Sequence, residues 1–412
     1  MILTIRKAII QTDVPFQTHT RGNMPLDYTA IQNKVRDLAG QINARQNVET
    51  EKAGRASIVL DSLAGQNEHS REVINAAAAM NANLRSAIPT DEDITAVFTA
   101  PAITQNYTLL AADGSQVNPN RHDSIPFGVI NIGVFRLDST LQTPPREIVD
   151  TQLLDLDEIT NEYGLVGEEV IALRRDLRER RKLAQLSSEI GGTVLALTDG
   201  PLELFRDPQG SPETKNEFEQ YIGVLRELAE LGTVTAGYVD RPGSDLVVRM
   251  LGILDPASEG TGGKGENALT PLTDAFLFRD RIPPQGRSAI FGIHSRSAQS
   301  YPDETALHFF YLNTGFPRKP SLARVEIPEW VAADTRRVNL LHAVLLEQCS
   351  LLGGMPYPYA LHRSHEIAVV SMLDKDQIAQ MITREMVARG MTPPAPSNKQ
   401  FAKNLSGRTR NR

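Results

Sequence analysis

Two aspartates each close an apolar, strand-like run and are each followed by a glycine: Asp113 in AADGSQ and Asp199 in LALTDGPL. A glycine after an acid admits backbone close to whatever the carboxylate binds. Carboxylates brought together at the ends of one sheet suit Mg2+ or Mn2+. Hard divalent ions take oxygen ligands, and phosphodiester cleavage uses such an ion to activate water and neutralise charge. Asp-Gly is also a common turn, so either pair by itself is equally a turn signal. Between them, in LVGEEVIALRRDLRERRKLAQLSSE, Val166, Val170, Leu173 and Leu177 form one apolar stripe; Leu165, Ala172, Leu183 and Leu186 form a second, and Glu179 falls within it. A carboxylate on an apolar face needs a metal or a cationic partner. Arg175 and Lys182, at i−4 and i+3, are the local alternatives to a metal.

The elements that must position these acids can be read from periodicity and turn chemistry. Residues 27–88 read as a long helical hairpin built of good helix formers without an internal proline. From Asn106 the texture changes: NYTLLAAD, FGVINIGVFRL and REIVDTQLLDL read as strands, a helix follows over about 165–189, and GGTVLALTDG is a short buried strand. A helix at about 214–231 leads to the strand GTVTAGYVD; AIFGI, LHFFYLN and SLARVEIPEWV read as further strands. A helix over about 335–352 and a final helical pair ending near Arg389 complete the pattern. The expected fold is α/β, with residues 1–95 as N-terminal segment and helical hairpin, 96–392 as the main domain, and 393–412 as a basic disordered tail. DPASEGTGGKGENALTP at 255–271 is a glycine-rich flexible loop; its Lys264 is followed by Gly265, so it lacks the GxxxxGK[ST] pattern of a phosphate loop.

Composition narrows the function classes. A formal charge of −7 argues against a general nucleic-acid coat, so any phosphate contact must be local; RRDLRERRK at 174–182 and NKQFAKNLSGRTRNR at 398–412 are the basic clusters. One cysteine, Cys349, in an apolar helical run excludes an internal disulfide framework and a zinc site built on cysteine pairs. No stretch approaches the roughly 18 apolar residues of a membrane span, and MILTIRKAII makes a poor secretory signal, so the expected location is the cytoplasm.

AADGSQ at 111–116, RDLRERRKLAQ at 175–185, LTDGPL at 197–202, GYVDRP at 237–242, ARVEIPEWV at 323–331 and YPYALHRSHE at 357–366 resemble, in order, the motifs of the NurA nuclease family over about residues 95–390. The resemblance implies an RNase H-like mixed central sheet flanked by helices. It also implies a manganese-dependent 5′-to-3′ DNA exonuclease with single-strand endonuclease activity, a homodimer, and a hexameric HerA-type ATPase as partner. The family's first acid corresponds to Asp113, the helical glutamate to Glu179 and the second aspartate to Asp199, with Mn2+ or Mg2+ as their cofactor; Glu168 and Glu169, at the start of that helix, are the alternative positions for the glutamate. The late Tyr-Pro and histidine correspond to Tyr357, Pro358 and His365. His365 could ligate metal, contact phosphate or protonate the leaving oxygen. Arg175, Arg178, Lys182, Arg241 and Tyr357 are candidate DNA contacts. Many members carry a lysine after the GYV-like strand, where this chain has Asp240 and Arg241. Arg324, Glu326 and Trp330 read as packing and an internal ion pair. The rival readings are a non-catalytic adaptor docked on a DNA translocase and an RNA nuclease of the same fold. Without a phosphate loop of its own, the chain would draw energy for strand separation from a partner ATPase, in DNA end processing or defence.

Overall fold

The computed structural model describes residues 27–162, 164–204, 212–256 and 267–394. The MILTIRKAII run, the basic tail past residue 394 and residues 257–266 of the glycine-rich loop lie outside the described residues. The chain divides into two compact units, Met1–Glu51 and Lys52–Arg412. Helix α1 (Tyr28–Ser62) begins in the first and ends in the second; α2 is Asn67–Met80. The strands are β1 (Ser86–Pro89), β2 (Val97–Phe98), β3 (Thr108–Val117), β4 (Gly128–Asp138), β5 (Arg146–Leu154), β6 (Thr160–Asn161), β7 (Gly164–Leu165), β8 (Val194–Asp199), β9 (Val234–Asp240), β10 (Arg287–Ser288), β11 (Phe291–His294), β12 (Leu307–Asn313) and β13 (Leu322–Pro328). The remaining helices are α3 (Leu156–Ile159), α4 (Glu168–Ser188), α5 (Pro212–Glu230), α6 (Leu246–Leu254), α7 (Asp274–Phe278), α8 (Glu329–Ala332), α9 (Thr335–Ser350), α10 (Tyr359–Ala368) and α11 (Met372–Ala388).

β3, β4 and β5 form an antiparallel meander, and β8 and β9 lie parallel to β3, giving the spatial order β5-β4-β3-β8-β9. The parallel pairs require crossovers, which α4 and α5 supply. This is the RNase H-like mixed sheet that the motif order implies. Beyond β9 the sheet continues through β13, β12, β11 and β1, each antiparallel to its neighbour.

Alternation along the central strands sorts side chains between two cores. On β3, Leu109 and Ala111 join α9 and α10, whereas Leu110 and Ala112 join α4; on β8, Leu195 and Leu197 take the first face and Val194 and Ala196 the second. Continued by one period, the pattern turns Asp113 and Asp199 toward α10 and Gly114 and Thr198 toward α4. Glycine is needed on both faces at this level. A Cβ on Gly114 would lie 2.6 Å from Arg175 Cγ and 2.6 Å from Glu179 Oε1, and one on Gly133, the β4 partner of Asp113, would lie 2.5 Å from the Ala368 nitrogen.

Three local expectations change. Asp113 does not end its strand: β3 runs on through Gly114 to Val117, because the glycine extends the backbone against β4 instead of turning it. The end of the stretch read as helix is β1, whose residues pair with β11. Helix α6 was not anticipated; its run LVVRMLGIL is only nine residues long and apolar except at Arg249 and Gly252, and so short an apolar run does not by itself declare a helix.

The seating of α10 on Gly133 is open to a direct test. Gly133→Ala should cost about 1–3 kcal/mol in urea denaturation, since backbone must move to admit the methyl group. Gly191→Ala, whose Cβ meets nothing within 4 Å, should change stability by less than about 0.5 kcal/mol. Equal small effects at both positions would show that α10 does not approach the sheet this closely.

Candidate active site

Asp113 and Asp199 occupy adjacent parallel strands and point to the same face. The Asp113 carboxylate accepts from the Gly114 N–H at 2.8 Å and makes a 2.7 Å contact with His365 Nδ1 from α10. Asp199 is the last residue of β8 and receives a hydrogen bond from the Tyr357 hydroxyl. Tyr357 itself packs edge-on against Tyr238 of β9, ring centroids 5.6 Å apart. His365 and Tyr357, named from sequence, thus each engage one of the two aspartates.

From the opposite face α4 delivers Glu179, which is buried, whereas Glu168 and Glu169 in its first turn are exposed. It enters the space left by Gly114. Sequence reasoning missed its neighbour Asp176, whose carboxylate accepts from Arg175 Nη2 at 2.7 Å and lies close enough to Glu179 and Asp113 to repel both. Asp176 is three residues before Glu179 and shares its side of the helix. Its arginine-rich surroundings read as a solvated ion-pair face.

The cluster is strongly anionic. Burial, reinforced by repulsion from Asp176, pushes the Glu179 carboxyl well above its ordinary 4.5, while Arg175 and Arg180 oppose the shift. Burial also raises Asp176, against the pull of Arg175. Asp199 is raised by burial and by Asp113, against the Tyr357 hydrogen bond. Arg175 lies among these acids, its Nε 3.6 Å from Glu179 Oε1. Arg180 is buried beneath them and donates to Thr198 on β8. Among the described residues no three His, Cys, Asp or Glu side chains converge tightly enough, as they stand, to hold one ion. The donor set nevertheless suits a hard cation: carboxylates come from two faces, and Asp176, Glu179 and Asp199 have raised proton affinities that a cation would relieve.

The other candidates fall into separate groups. Arg178 and Lys182 reach Asp150 on β5, at 3.1 and 3.8 Å. Arg241, with φ of 47°, extends its side chain into solvent after β9. Arg324 and Glu326 form the internal ion pair read from sequence, at 2.5 Å, and Trp330 donates to the Thr233 carbonyl within the core. Glu326 does more than pair. Its Oε2 accepts from the backbone N–H groups of Leu202 and Glu203, at 2.7 and 3.0 Å, and so fixes the loop that follows Asp199. Cys349 is buried and free, its thiol pushed up to about 12 by burial.

Residues 107–370, well over half of the chain, match the NurA domain family. Among solved structures the chain is similar to the NurA nuclease from Sulfolobus solfataricus, at 13% identity and a TM-score of 0.53, covering 87% of this chain and 98% of that one. A NurA structure with manganese aligns at 8% identity and a TM-score of 0.45, covering 85% and 98%. No curated protein matches the chain.

The raised proton affinity of Glu179 has a stability consequence of definite sign. A carboxyl whose folded pKa exceeds its unfolded value favours folding when protonated, and that contribution is lost as pH rises above 4.5 and through the folded pKa. Thermal melts in EDTA should therefore show Glu179→Gln gaining on the wild type as pH rises from 5 to 8, by about 1.4 kcal/mol for every tenfold increase in proton affinity that folding brings. A constant difference between the two proteins across that range would remove Glu179 as an uncompensated buried acid.

Proposed function

The chain belongs to the NurA domain family, and we propose that it is a divalent-metal-dependent deoxyribonuclease centred on Asp113, Asp176, Glu179 and Asp199. The observation that carries the reading is the meeting of carboxylates from both faces of an RNase H-like sheet at the level of Gly114. Asp113, Glu179 and Asp199 would hold Mn2+ or Mg2+, with Asp176 beside them. When bound, such an ion supplies an activated water and neutralises charge on the phosphate.

The chain's own groups prepare that chemistry. Tyr357 orients Asp199, and the Gly200 N–H donates to the Tyr238 carbonyl at 2.8 Å, tying the next residue to β9. His365 keeps Asp113 in place through Nδ1 while its ring stays mostly exposed. A proton on that ring would be available to an oxygen leaving the phosphate. Arg175 offsets the acids and would turn toward a backbone phosphate once a cation takes its place. Contacts to phosphate carry no base identity, so cleavage should tolerate sequence.

The finer reading follows the family resemblance: 5′-to-3′ exonuclease and single-strand endonuclease activity, a homodimer, and a HerA-type hexameric ATPase that feeds DNA to the site. Among the described residues no helix is long and apolar enough to cross a membrane.

Purified protein should degrade labelled DNA in Mn2+ and lose that activity in EDTA. Asp113→Asn and Asp199→Asn should each retain the fold and lower turnover by at least about a hundredfold. Near-wild-type cleavage by Asp113→Asn would overturn the assignment. DNA binding without any cleavage by the wild type would favour the adaptor reading, and preferential digestion of RNA the third. In calorimetry Arg175→Gln should bind Mn2+ more tightly than the wild type; weaker binding would mean that Arg175 organises the acids instead of competing for them.

A further inference from the structure

Beside the carboxylates, beyond the ends of β9 and β13, lies an open groove of about 630 Å3. Tyr357, which reaches Asp199, forms one end of it, and Arg241, Arg279, Phe316, Lys319 and Met355 line the rest. The chain carries a net charge of −7, yet among the groove's lining residues Asp240 is the one acid, set against two arginines and a lysine. Arg241 is 90% exposed and its nearest acid, Asp240, is 3.9 Å away. It holds a left-handed backbone conformation, φ 47°, that non-glycine residues rarely adopt and that directs its guanidinium outward. Arg279 lies over the Phe276 ring at 4.3 Å, and its acidic partner Asp280 is itself largely exposed. Phe316, in the β12–β13 turn, leaves 48% of its surface in solvent. That turn is held shut by reciprocal Phe316 and Lys319 backbone hydrogen bonds, and Gly315 is pressed so close to Ser321 that a Cβ would lie 2.3 Å from its nitrogen.

We propose that this groove binds a single strand of DNA and leads it to the Asp199 end of the carboxylate site. Three cations in one groove can neutralise a strand's phosphates, and a half-exposed phenylalanine in a hydrogen-bonded turn offers a base a stacking platform independent of sequence. A duplex presents no exposed base face along its length, so the exposed ring favours a single strand. This inference rests on the nuclease reading of the carboxylates, but it concerns binding and can fail separately.

Fluorescence anisotropy with labelled oligothymidylate in EDTA, where cleavage is prevented, tests it on the full chain. Lys319→Ala, Arg241→Ala and Arg279→Ala should each weaken binding several-fold and reduce the salt dependence by about 0.7 in log–log slope per cation. Phe316→Ala should weaken binding at least five-fold with the slope unchanged. Arg226→Ala, a surface cation on α5, controls for bulk charge and should do neither. Unaltered affinity and slope in Lys319→Ala and Phe316→Ala would overturn the groove whatever the carboxylates do. Equal losses in Arg226→Ala would reduce it to non-specific charge. Intact groove-dependent binding by a wild type that cleaves nothing in Mn2+ would sink the nuclease reading and leave the groove standing.

Discussion

The absence of side chains at Gly114 and Gly133 is the constraint on which the site depends. Asp113 lies between a helix on each face of the sheet, and both helices come nearer the backbone than a Cβ permits. On one face the space at Gly114 admits Glu179 and the stem of Arg175; on the other the space at Gly133 admits α10 and brings His365 to 2.7 Å from Asp113. At Gly133 rotating side chains could not make room, because the nearest opposing atoms are backbone, whereas at Gly114 they are the side chains of Arg175 and Glu179 themselves. The sheet thus becomes thin at one level, and carboxylates from opposite sides meet there. A β-sheet normally separates its two faces by its full thickness, so this local thinning is what converts two buried cores into one shared site.

Such a meeting has an electrostatic cost. Asp113 repels Asp176, Glu179 and Asp199 alike, and desolvation is the leading cause of elevation in each of those three. Arg175 and Arg180 supply positive charge from the same helix, one beside the acids and one below them. Arg180 is buried and bonded to Thr198, which makes it a fixed element of the scaffold. Arg175 is partly exposed and anchored mainly to Asp176. The repulsion is concentrated in a few buried carboxyls and is offset by a partly exposed arginine.

Much of this was legible in the sequence, and the failures have specific causes. The interruption of an apolar stripe by Glu179 correctly marked it as buried, and the acid closing β8 fell where the apolar run ended. Asp113 was misread as strand-terminal because Asp-Gly signals a turn locally, whereas pairing with Gly133 and its neighbours on β4 keeps the strand extended. Asp176 looked like part of a solvated charge run, since periodicity reports apolar faces and is silent about which polar face meets another element. The role of Gly114 was placed on the wrong partner: it makes room for Glu179 and Arg175 within the protein. The ion pair in ARVEIPEWV was readable as internal, but that Glu326 would grip the loop after Asp199 depends on β13 lying next to β9, a pairing across long sequence separation that no local pattern encodes.

That last pairing explains why the sheet extends beyond its five-stranded core. β13 is inserted next to β9, which places buried Glu326 where it can bind two backbone N–H groups of the loop leaving β8. A loop carrying a terminal carboxylate would otherwise be free to relax away from its repelling neighbours. Arg324 balances Glu326, and the hydroxyls of Tyr221 and Tyr301 both donate to the Leu202 carbonyl, so the loop is fixed at donors and acceptor together. The same strand begins at the β12–β13 turn that presents Phe316 and Lys319. One element outside the core therefore both stabilises Asp199 in a position that electrostatics opposes and builds the cationic wall beside it. A shorter sheet would retain the carboxylates but lose the Glu326 grip on the loop that follows Asp199.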